Sequence, residues 1–369
     1  MNPASPPARQ VRGRMPGVAA RAHSLAVMES PLLAVDGAVG AEFPDVGVAA
    51  HYGDPYAEQR ALAETAGFVD RSDRDLVTIT GADRLSWLNS LSTQKIDDLE
   101  PGRAAQTLIL SPHGHVEHQL SLVDDGSKTW IHVEPGEAGA LVEFLDSMRF
   151  MLRVDCADVS ADFAVLTVMG PLVPADVADI AGGVAAVMDS GFGIDLVLDR
   201  ARLGQAAAAL GEHGLRPAGM WAHEALRIAG HRPRFGTDTD HRTIPHEAGW
   251  IETAVHLNKG CYRGQETVAR VHNLGHPPRR LVLLQLDGSE NRLPAHGERV
   301  LLDQGAVGFV GSSARHFELG PIALALVKRT VPVEATLSAD GISAAQEVIV
   351  RPDVGANVKI TMTRRREER

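Results

Sequence analysis

The pattern of hydrophobic residues changes near Arg279, and this change constrains the fold more than any single motif. Before it, segments with helical periodicity, such as residues 57–66 and 202–213, are interspersed irregularly with strand-like segments. After it, short strand-like segments such as residues 281–286 and 322–327 are separated by Gly and Pro. The first pattern favours an α+β architecture over a doubly wound parallel sheet. The second predicts a small all-β domain.

Length and charge limit the class of protein. A chain of 369 residues is too long for one ordinary hydrophobic core, so two or three domains are expected. No apolar run is long enough to span a membrane. The formal charge of -11 argues against general nucleic-acid binding, although a local basic pocket could hold a small anionic ligand. Two cysteines are too few for a disulfide framework, so we expect a protein of the reducing cytoplasm.

Domain boundaries are expected where the composition changes. Residues 1–40 are expected to form a disordered leader, because the first thirty are rich in Pro, Ala and Arg. A first α+β domain is placed at residues 45–150 and a second at residues 151–275. A β-barrel-like domain is placed at residues 276–360, followed by a charged tail at residues 361–369.

Residues 259–266 read Lys-Gly-Cys-Tyr-Arg-Gly-Gln-Glu and are called the octet below. Cys261 lies between two cations, Lys259 and Arg263, and just ahead of a segment with helical periodicity. Cations and helix N-termini favour the thiolate, which is the reactive form of cysteine. The octet therefore predicts a reactive Cys261. The alternative is that its glycines only permit a tight backbone path, with Cys261 packed as a small apolar residue.

Several motifs occur together in the order typical of one family. They are residues 53–55 (Gly-Asp-Pro), 67–72 (Gly-Phe-Val-Asp-Arg-Ser), 81–83 (Gly-Ala-Asp), 99–104 (Leu-Glu-Pro-Gly-Arg-Ala) and the octet. With these motifs, residues 45–350 resemble the YgfZ/GcvT folate-binding family, and the octet resembles the signature of its YgfZ branch. The resemblance implies two mixed α/β domains with antiparallel sheets and a C-terminal β-barrel-like domain around a central cavity. It also implies a tetrahydrofolate ligand bound by the N-terminal part and, for the YgfZ branch, a role in iron-sulfur cluster assembly or repair.

The aminomethyltransferases of this family place an Asp-Asp pair on a strand after a Gly-Gly turn. The matching stretch here is residues 114–120, where His118 and Gln119 occupy the place of the pair. Glu117 is one position away, and a displacement of one residue on a strand points a side chain to the opposite face. The resemblance therefore implies folate contacts from Glu117 and His118, and it leaves the transferase reaction open.

Two further regions match folate-contacting elements of the family. Asp195 matches an acidic residue that recognises the pterin ring, and a carboxylate can accept two hydrogen bonds from adjacent pterin donors. Its alternative role is a solvated Asp at the start of a strand. Arg227, Arg232 and Arg234 lie where the family places a basic residue near the folate, and guanidinium groups suit the anionic glutamyl tail. Arg227 would otherwise be an ordinary helix-surface charge.

The segment before the octet matches the family as well. Glu247 is expected to be its inward-facing acid, unless residues 244–249 form only a solvated turn. Tyr262 would stack on a pterin or fill the domain junction. The histidines at 113, 115 and 118 lack the ligand spacing of a zinc site, so no metal site is expected.

The resemblance therefore implies a tetrahydrofolate-binding protein that acts in iron-sulfur cluster assembly or repair. Cys261 and Lys259 are expected to carry any chemistry, while the folate contacts are expected from Glu117, His118, Asp195, Arg227, Arg232, Glu247, Tyr262 and Arg263. The expected partners are folate and either iron-sulfur assembly proteins or client iron-sulfur enzymes, with no membrane partner. The alternatives are a folate-dependent aminomethyltransferase or methyltransferase and a non-catalytic folate-binding scaffold. Whether the chain is an enzyme stays open; as an enzyme it would be a tetrahydrofolate-dependent one-carbon transferase.

Overall fold

A computed structural model describes residues 28–355. Residues 28–40 do not form the expected leader, because Pro31–Ala34 is a 3-10 helix that buries Leu32. The remainder of that segment, residues 1–27, and the expected tail at residues 361–369 lie outside the described residues. Within the described part of the chain, no helix is long and apolar enough to cross a membrane.

The first half of the chain mixes helices and strands. After the 3-10 helix come β1 (Val39–Gly40), β2 (Ala49–His51), α1 (Pro55–Glu64), β3 (Gly67–Asp70), β4 (Asp75–Thr80), α2 (Arg84–Leu91), β5 (Ala104–Leu110), β6 (Val116–Asp124), β7 (Lys128–Val133) and α3 (Ala138–Ser147). Local sequence explains where α1 begins. Pro55 has a fixed φ at its first turn, and the Asp54 carboxylate accepts from the amides of Tyr56 and Ala57.

The middle of the chain continues this mixture. Its elements are β8 (Asp155–Asp158), β9 (Phe163–Met169), α4 (Val177–Ala181), β10 (Val184–Asp189), β11 (Ile194–Asp199), α5 (Leu203–Glu212), β12 (Arg216–Ala218), α6 (Met220–Ala229), α7 (Ile251–Ala254) and α8 (Gln265–Asn273). A short 3-10 helix at Arg200–Arg202 precedes α5. The octet ends in the first turn of α8.

Two five-stranded sheets exchange strands across the domain boundary expected at residue 150. The first sheet has the order β5-β6-β7-β4-β8 and the second has the order β10-β11-β9-β3-β12. Thus β8 pairs with β4 in the first sheet, while β3 pairs with β9 and β12 in the second. All pairings are antiparallel except β3 with β12. The boundary at residue 150 therefore does not separate two independent sheets.

The C-terminal part confirms the predicted all-β domain. Its strands are β13 (Arg279–Leu286), β14 (Arg299–Leu302), β15 (Gly305–His316), β16 (Gly320–Lys328), β17 (Leu337–Ala339) and β18 (Ile342–Val348), with a 3-10 turn at Gly288–Glu290. They close into a barrel in the order β13-β16-β15-β14-β17-β18. Alternate residues of β13 face its core, whereas Leu281 and Leu283 pack against α6.

Candidate functional site

A cavity of about 1200 Å³ lies where the three parts of the chain meet. The first sheet contributes Gln106, Gln119 and Ser121 to its wall, and the second contributes Asp189 and Asp195. Other lining residues include 94–95, 98–99, 230–233, 248–253 and 349–351. The cavity is therefore polar on several sides and is assembled by elements far apart in sequence.

Asp195 on β11 is the most deeply buried carboxylate of this wall, with 3% of its surface exposed. Its Oδ1 accepts a hydrogen bond from Thr167 Oγ1 at 2.5 Å and lies 3.5 Å from an Arg71 nitrogen. Its Oδ2 lies 3.0 Å from His132 Nε2. Burial opposes ionisation, but the hydrogen bond from His132 and the charge of Arg71 outweigh it, and the pKa of Asp195 lies well below its ordinary value.

His132 is held in one protonation state. Burial lowers its pKa, so the ring is neutral at physiological pH. Arg74 Nη2 lies 3.5 Å from His132 Nδ1, and a guanidinium group can only donate. Nδ1 therefore accepts, and Nε2 carries the proton that is donated to Asp195. The result is an anionic Asp195 fixed on the cavity wall by a neutral imidazole.

The arginines of the predicted site have different surroundings. Arg232 lines the cavity and lies over the ring of Phe192, with 4.9 Å between its guanidinium carbon and the ring centroid. Arg227 does not line the cavity. It donates to Glu224 at 2.7 Å and to Asp238 at 2.8 Å, so its predicted folate contact is corrected to a buried ion-pair network.

Glu247 does not line the cavity either, and its side chain is engaged in hydrogen bonds within the protein. Its side chain is fully buried and accepts hydrogen bonds from Arg279 at 2.8 and 2.9 Å. It accepts a further one from the Ile244 amide at 3.1 Å. Its neighbours His246 and Ala248 line the cavity instead. The expectation of an inward-facing Glu247 is therefore corrected.

On β6, the residues that reach the cavity differ from those predicted. Gln119 and Ser121 line it, whereas His118 is buried beside Phe144 and lies 3.6 Å from Glu137. Glu117 is bound by Arg263 at 2.8 Å. Alternation along the strand explains His118, which points to the opposite face from Gln119. Glu117 lies on the same face as Gln119 but is engaged by Arg263. No carboxylate of β6 lines the cavity.

The octet forms a tight loop beside the cavity. Gly264 has φ of 81°, and a Cβ there would lie 2.6 Å from the carbonyl oxygen of Ser111, so the position requires glycine. Lys259 Nζ donates to the carbonyl oxygens of Asn89, Ser92 and Gln94 at 2.6 to 2.8 Å. Burial lowers the pKa of Lys259 to about 8. Through these three hydrogen bonds, its ammonium group connects the octet to the end of α2.

The aromatic and thiol groups of the octet lie on different sides of this loop. Tyr262 is buried among apolar residues that include Leu108 and Trp250, and burial raises its pKa to about 12. Cys261 is exposed and is not part of the cavity wall. Among the described residues its thiol makes no hydrogen bond, so no side chain is placed as its base.

Sequence reasoning missed the groups that hold Asp195. His132, Thr167 and Arg71 come from β7, β9 and the segment after β3, and strand pairing alone brings them together. Gln119 was visible as one of the two residues in the place of the Asp-Asp pair. Within residues 28–355, no group of three or more His, Cys, Asp or Glu side chains could hold a metal ion.

Comparison with known proteins identifies the fold of this chain. Residues 33–186 match the family profile described as the GCVT N-terminal domain. A crystal structure of the glycine cleavage system aminomethyltransferase T from Bartonella henselae superimposes with a TM-score of 0.73, covering 86% of this chain and 94% of that one at 19% identity. The chain has the GcvT-like fold. This confirms the predicted fold class of two mixed α/β domains and a β-barrel.

Curated relatives of this GcvT-like chain are aminomethyltransferases. One from Saccharopolyspora erythraea is 28% identical over 82% of this chain and 90% of its own length. Another from Geobacillus kaustophilus is 29% identical over 74% of this chain and 82% of its own length. These relatives support the GcvT-like part of the resemblance. The assignment to the YgfZ branch stays a prediction.

Proposed function

We propose that this GcvT-like chain binds tetrahydrofolate, or a one-carbon derivative of it, in the central cavity. The aminomethyltransferase family to which its relatives belong uses tetrahydrofolate. The observation that carries the proposal is the anionic carboxylate of Asp195 on the cavity wall. A carboxylate has about four acceptor positions. Thr167 and His132 occupy two of them, which leaves capacity for the paired donors of a pterin ring.

The charge of the cavity wall supports the same ligand. Arg232 is held by its stacking on Phe192 and by a hydrogen bond to the Ser190 carbonyl oxygen at 3.4 Å. Among residues 28–355 it has no carboxylate partner, in contrast to Arg227. An unpaired guanidinium group suits the carboxylates of a glutamyl tail. Asp195 and Arg232 would thus bind opposite ends of a folate.

Calorimetry with tetrahydrofolate tests this proposal. Asp195→Asn keeps the size of the side chain but removes the charge, and a hydrogen bond to a charged group contributes about 1.5–3 kcal/mol. We expect the affinity to fall by roughly 10- to 100-fold. Asp189→Asn is the matched control, because Asp189 also lines the cavity but is exposed. Equal affinities in wild type and Asp195→Asn, or no binding by the wild type, would overturn the assignment.

The relatives favour one-carbon transfer as the reaction to test first. The position on β6 where an aminomethyltransferase has its Asp-Asp pair presents Gln119 to the cavity, and Glu117 is engaged by Arg263. Transfer here would therefore proceed without a β6 carboxylate facing the folate. Aminomethyl transfer to tetrahydrofolate in vitro, compared between wild type and Gln119→Asp, measures this difference. Activity in the wild type would support the transferase, and activity only in Gln119→Asp would support a binding protein without transfer.

Iron-sulfur cluster assembly or repair is the second candidate function. The exposure of Cys261 in the octet favours it, because an exposed thiol can reach an assembly protein or a client enzyme. Cys156 is the matched control, since it is partly buried and burial raises its pKa to about 12. In cells that carry Cys261→Ser as their only copy, iron-sulfur enzyme activities should fall, whereas Cys156→Ser should leave them unchanged. Unchanged activities in both strains would remove the thiol from this role.

A further inference from the structure

We propose that Arg280 forms an internal anion site in the C-terminal barrel. This site is separate from the central cavity and does not depend on the function proposed above. Arg280 lies on β13 and has the same alternation as Val282 and Leu284, which belong to the barrel core. Its side chain therefore points into the barrel, and none of its surface is exposed.

The hydrogen bonds of Arg280 leave part of the guanidinium group without acceptors. Nη2 donates to the Val331 carbonyl oxygen at 3.1 Å and to Gln346 Oε1 at 2.6 Å. Nε and Nη1 are buried and have no partner. Gln346 cannot turn to help, because its Nε2 donates to the carbonyl oxygens of Pro332 and Ala335 at 2.8 and 2.9 Å. Three N–H groups of Arg280 are therefore unsatisfied.

Among the described residues, the positive charge of Arg280 lacks a partner as well. Arg74, Arg227 and Arg234 are also deeply buried, and each has carboxylate partners. Arg280 forms no ion pair with any residue in the range 28–355. A guanidinium group stays protonated even when buried. An isolated buried charge is strongly unfavourable. A water molecule would accept a hydrogen bond from an N–H group but would not neutralise the guanidinium charge. A small monovalent anion would accept the hydrogen bond and neutralise the charge.

The chain segment that covers Arg280 gives such an anion a short route from solvent. Residues 329–336 link β16 to β17 and supply the carbonyl oxygens that hold Arg280 and Gln346. Pro332, Glu334 and Thr336 in this segment are exposed. Only one layer of chain therefore separates the guanidinium group from solvent. A halide or a small carboxylate such as formate has the charge that this site needs, and its binding would hold the segment to β13.

Bromide is a direct probe, because its anomalous scattering identifies it in a crystal of the full chain. We expect an anomalous peak next to Nε or Nη1 of Arg280 in the wild type. In solution, replacing gluconate by chloride at constant ionic strength should raise the Tm by roughly 2–4 °C at a tenfold excess over the Kd. Arg280→Met removes the charge while keeping an apolar side chain, and it should abolish this rise. Arg292→Gln, which alters an exposed barrel arginine paired with Asp340, should retain it.

Each outcome decides the proposal. A bromide peak at Arg280, together with loss of the chloride effect in Arg280→Met, supports it. Ordered water without bromide at Nε and Nη1 overturns it, and so does an equal chloride effect in Arg280→Met and the wild type. The crystallographic arm uses the wild type, so a folding defect in Arg280→Met does not prevent the test.

Discussion

His132→Leu tests whether a neutral imidazole holds Asp195 in its anionic state. The substitution removes the hydrogen bond that Asp195 Oδ2 accepts at 3.0 Å. Both side chains are almost completely buried, so water does not replace the donor. A hydrogen bond to a charged group contributes about 1.5–3 kcal/mol, and we expect the free energy of unfolding to fall by this amount at neutral pH. Urea unfolding followed by circular dichroism measures it.

The pH dependence separates this effect from a simple packing loss. The native pKa of Asp195 is below its ordinary value of 3.8, so the carboxylate adds stability that is present above that value and is lost as the pH falls through the native pKa. His132→Leu raises the native pKa and reduces this contribution. Because the pKa of buried His132 is lowered, the wild type alone also loses stability as the unfolded-state imidazole is protonated below about pH 6.5. The difference between wild type and variant should therefore be constant above about pH 7, shrink below about pH 6.5, and shrink further below about pH 4 as Asp195 is protonated.

Two further variants complete the experiment. His132→Gln retains a side-chain donor and should recover part of the lost stability. His213→Leu, at the exposed end of α5, should change the free energy of unfolding by less than about 0.5 kcal/mol. Equal losses in His132→Leu and His132→Gln, or a loss in His132→Leu that does not vary with pH, would refute the role of the imidazole.

Three other predictions concern the octet. Lys259→Met should lower the free energy of unfolding by about 2–3 kcal/mol, measured by urea unfolding, because three carbonyl oxygens lose a charged donor. Gly264→Ala should lower it by at least about 1 kcal/mol, because φ is positive and the new methyl group would collide with the Ser111 carbonyl oxygen; a stable variant would contradict the backbone geometry. Iodoacetamide should modify Cys261 much faster than Cys156 in the native protein, as followed by mass spectrometry, because Cys156 is partly buried and its pKa is raised to about 12. Equal rates would contradict the exposure of Cys261.

Local patterns predicted the individual elements well. The helix expected at residues 57–66 is Pro55–Glu64, and the one expected at residues 202–213 is Leu203–Glu212. These segments carry their own periodicity and need no distant partner. The exchange of β3 and β8 between sheets had no local signal, because strand pairing depends on residues far apart in the chain.

The candidate site was predictable only in part, for the same reason. The resemblance pointed to Asp195, which the structure places on the cavity wall. It also pointed to Arg227 and Glu247, which instead pair with Asp238 and Arg279. A sequence shows that a charged residue is present, but the nearest opposite charge is decided by tertiary packing. Charged residues that match the family in sequence can therefore either line the cavity or form buried ion pairs away from it.

The exchanged strands make the first two domains one unit of folding. A fragment that ends at residue 150 would lack β8, and β4 would become an unpaired edge of the first sheet. The same fragment would keep β3 without its partners β9 and β12. Exposed edges of this kind promote pairing between chains. Shortened versions for biochemistry should therefore keep both sheets together, and isolated halves are expected to associate by swapping these strands.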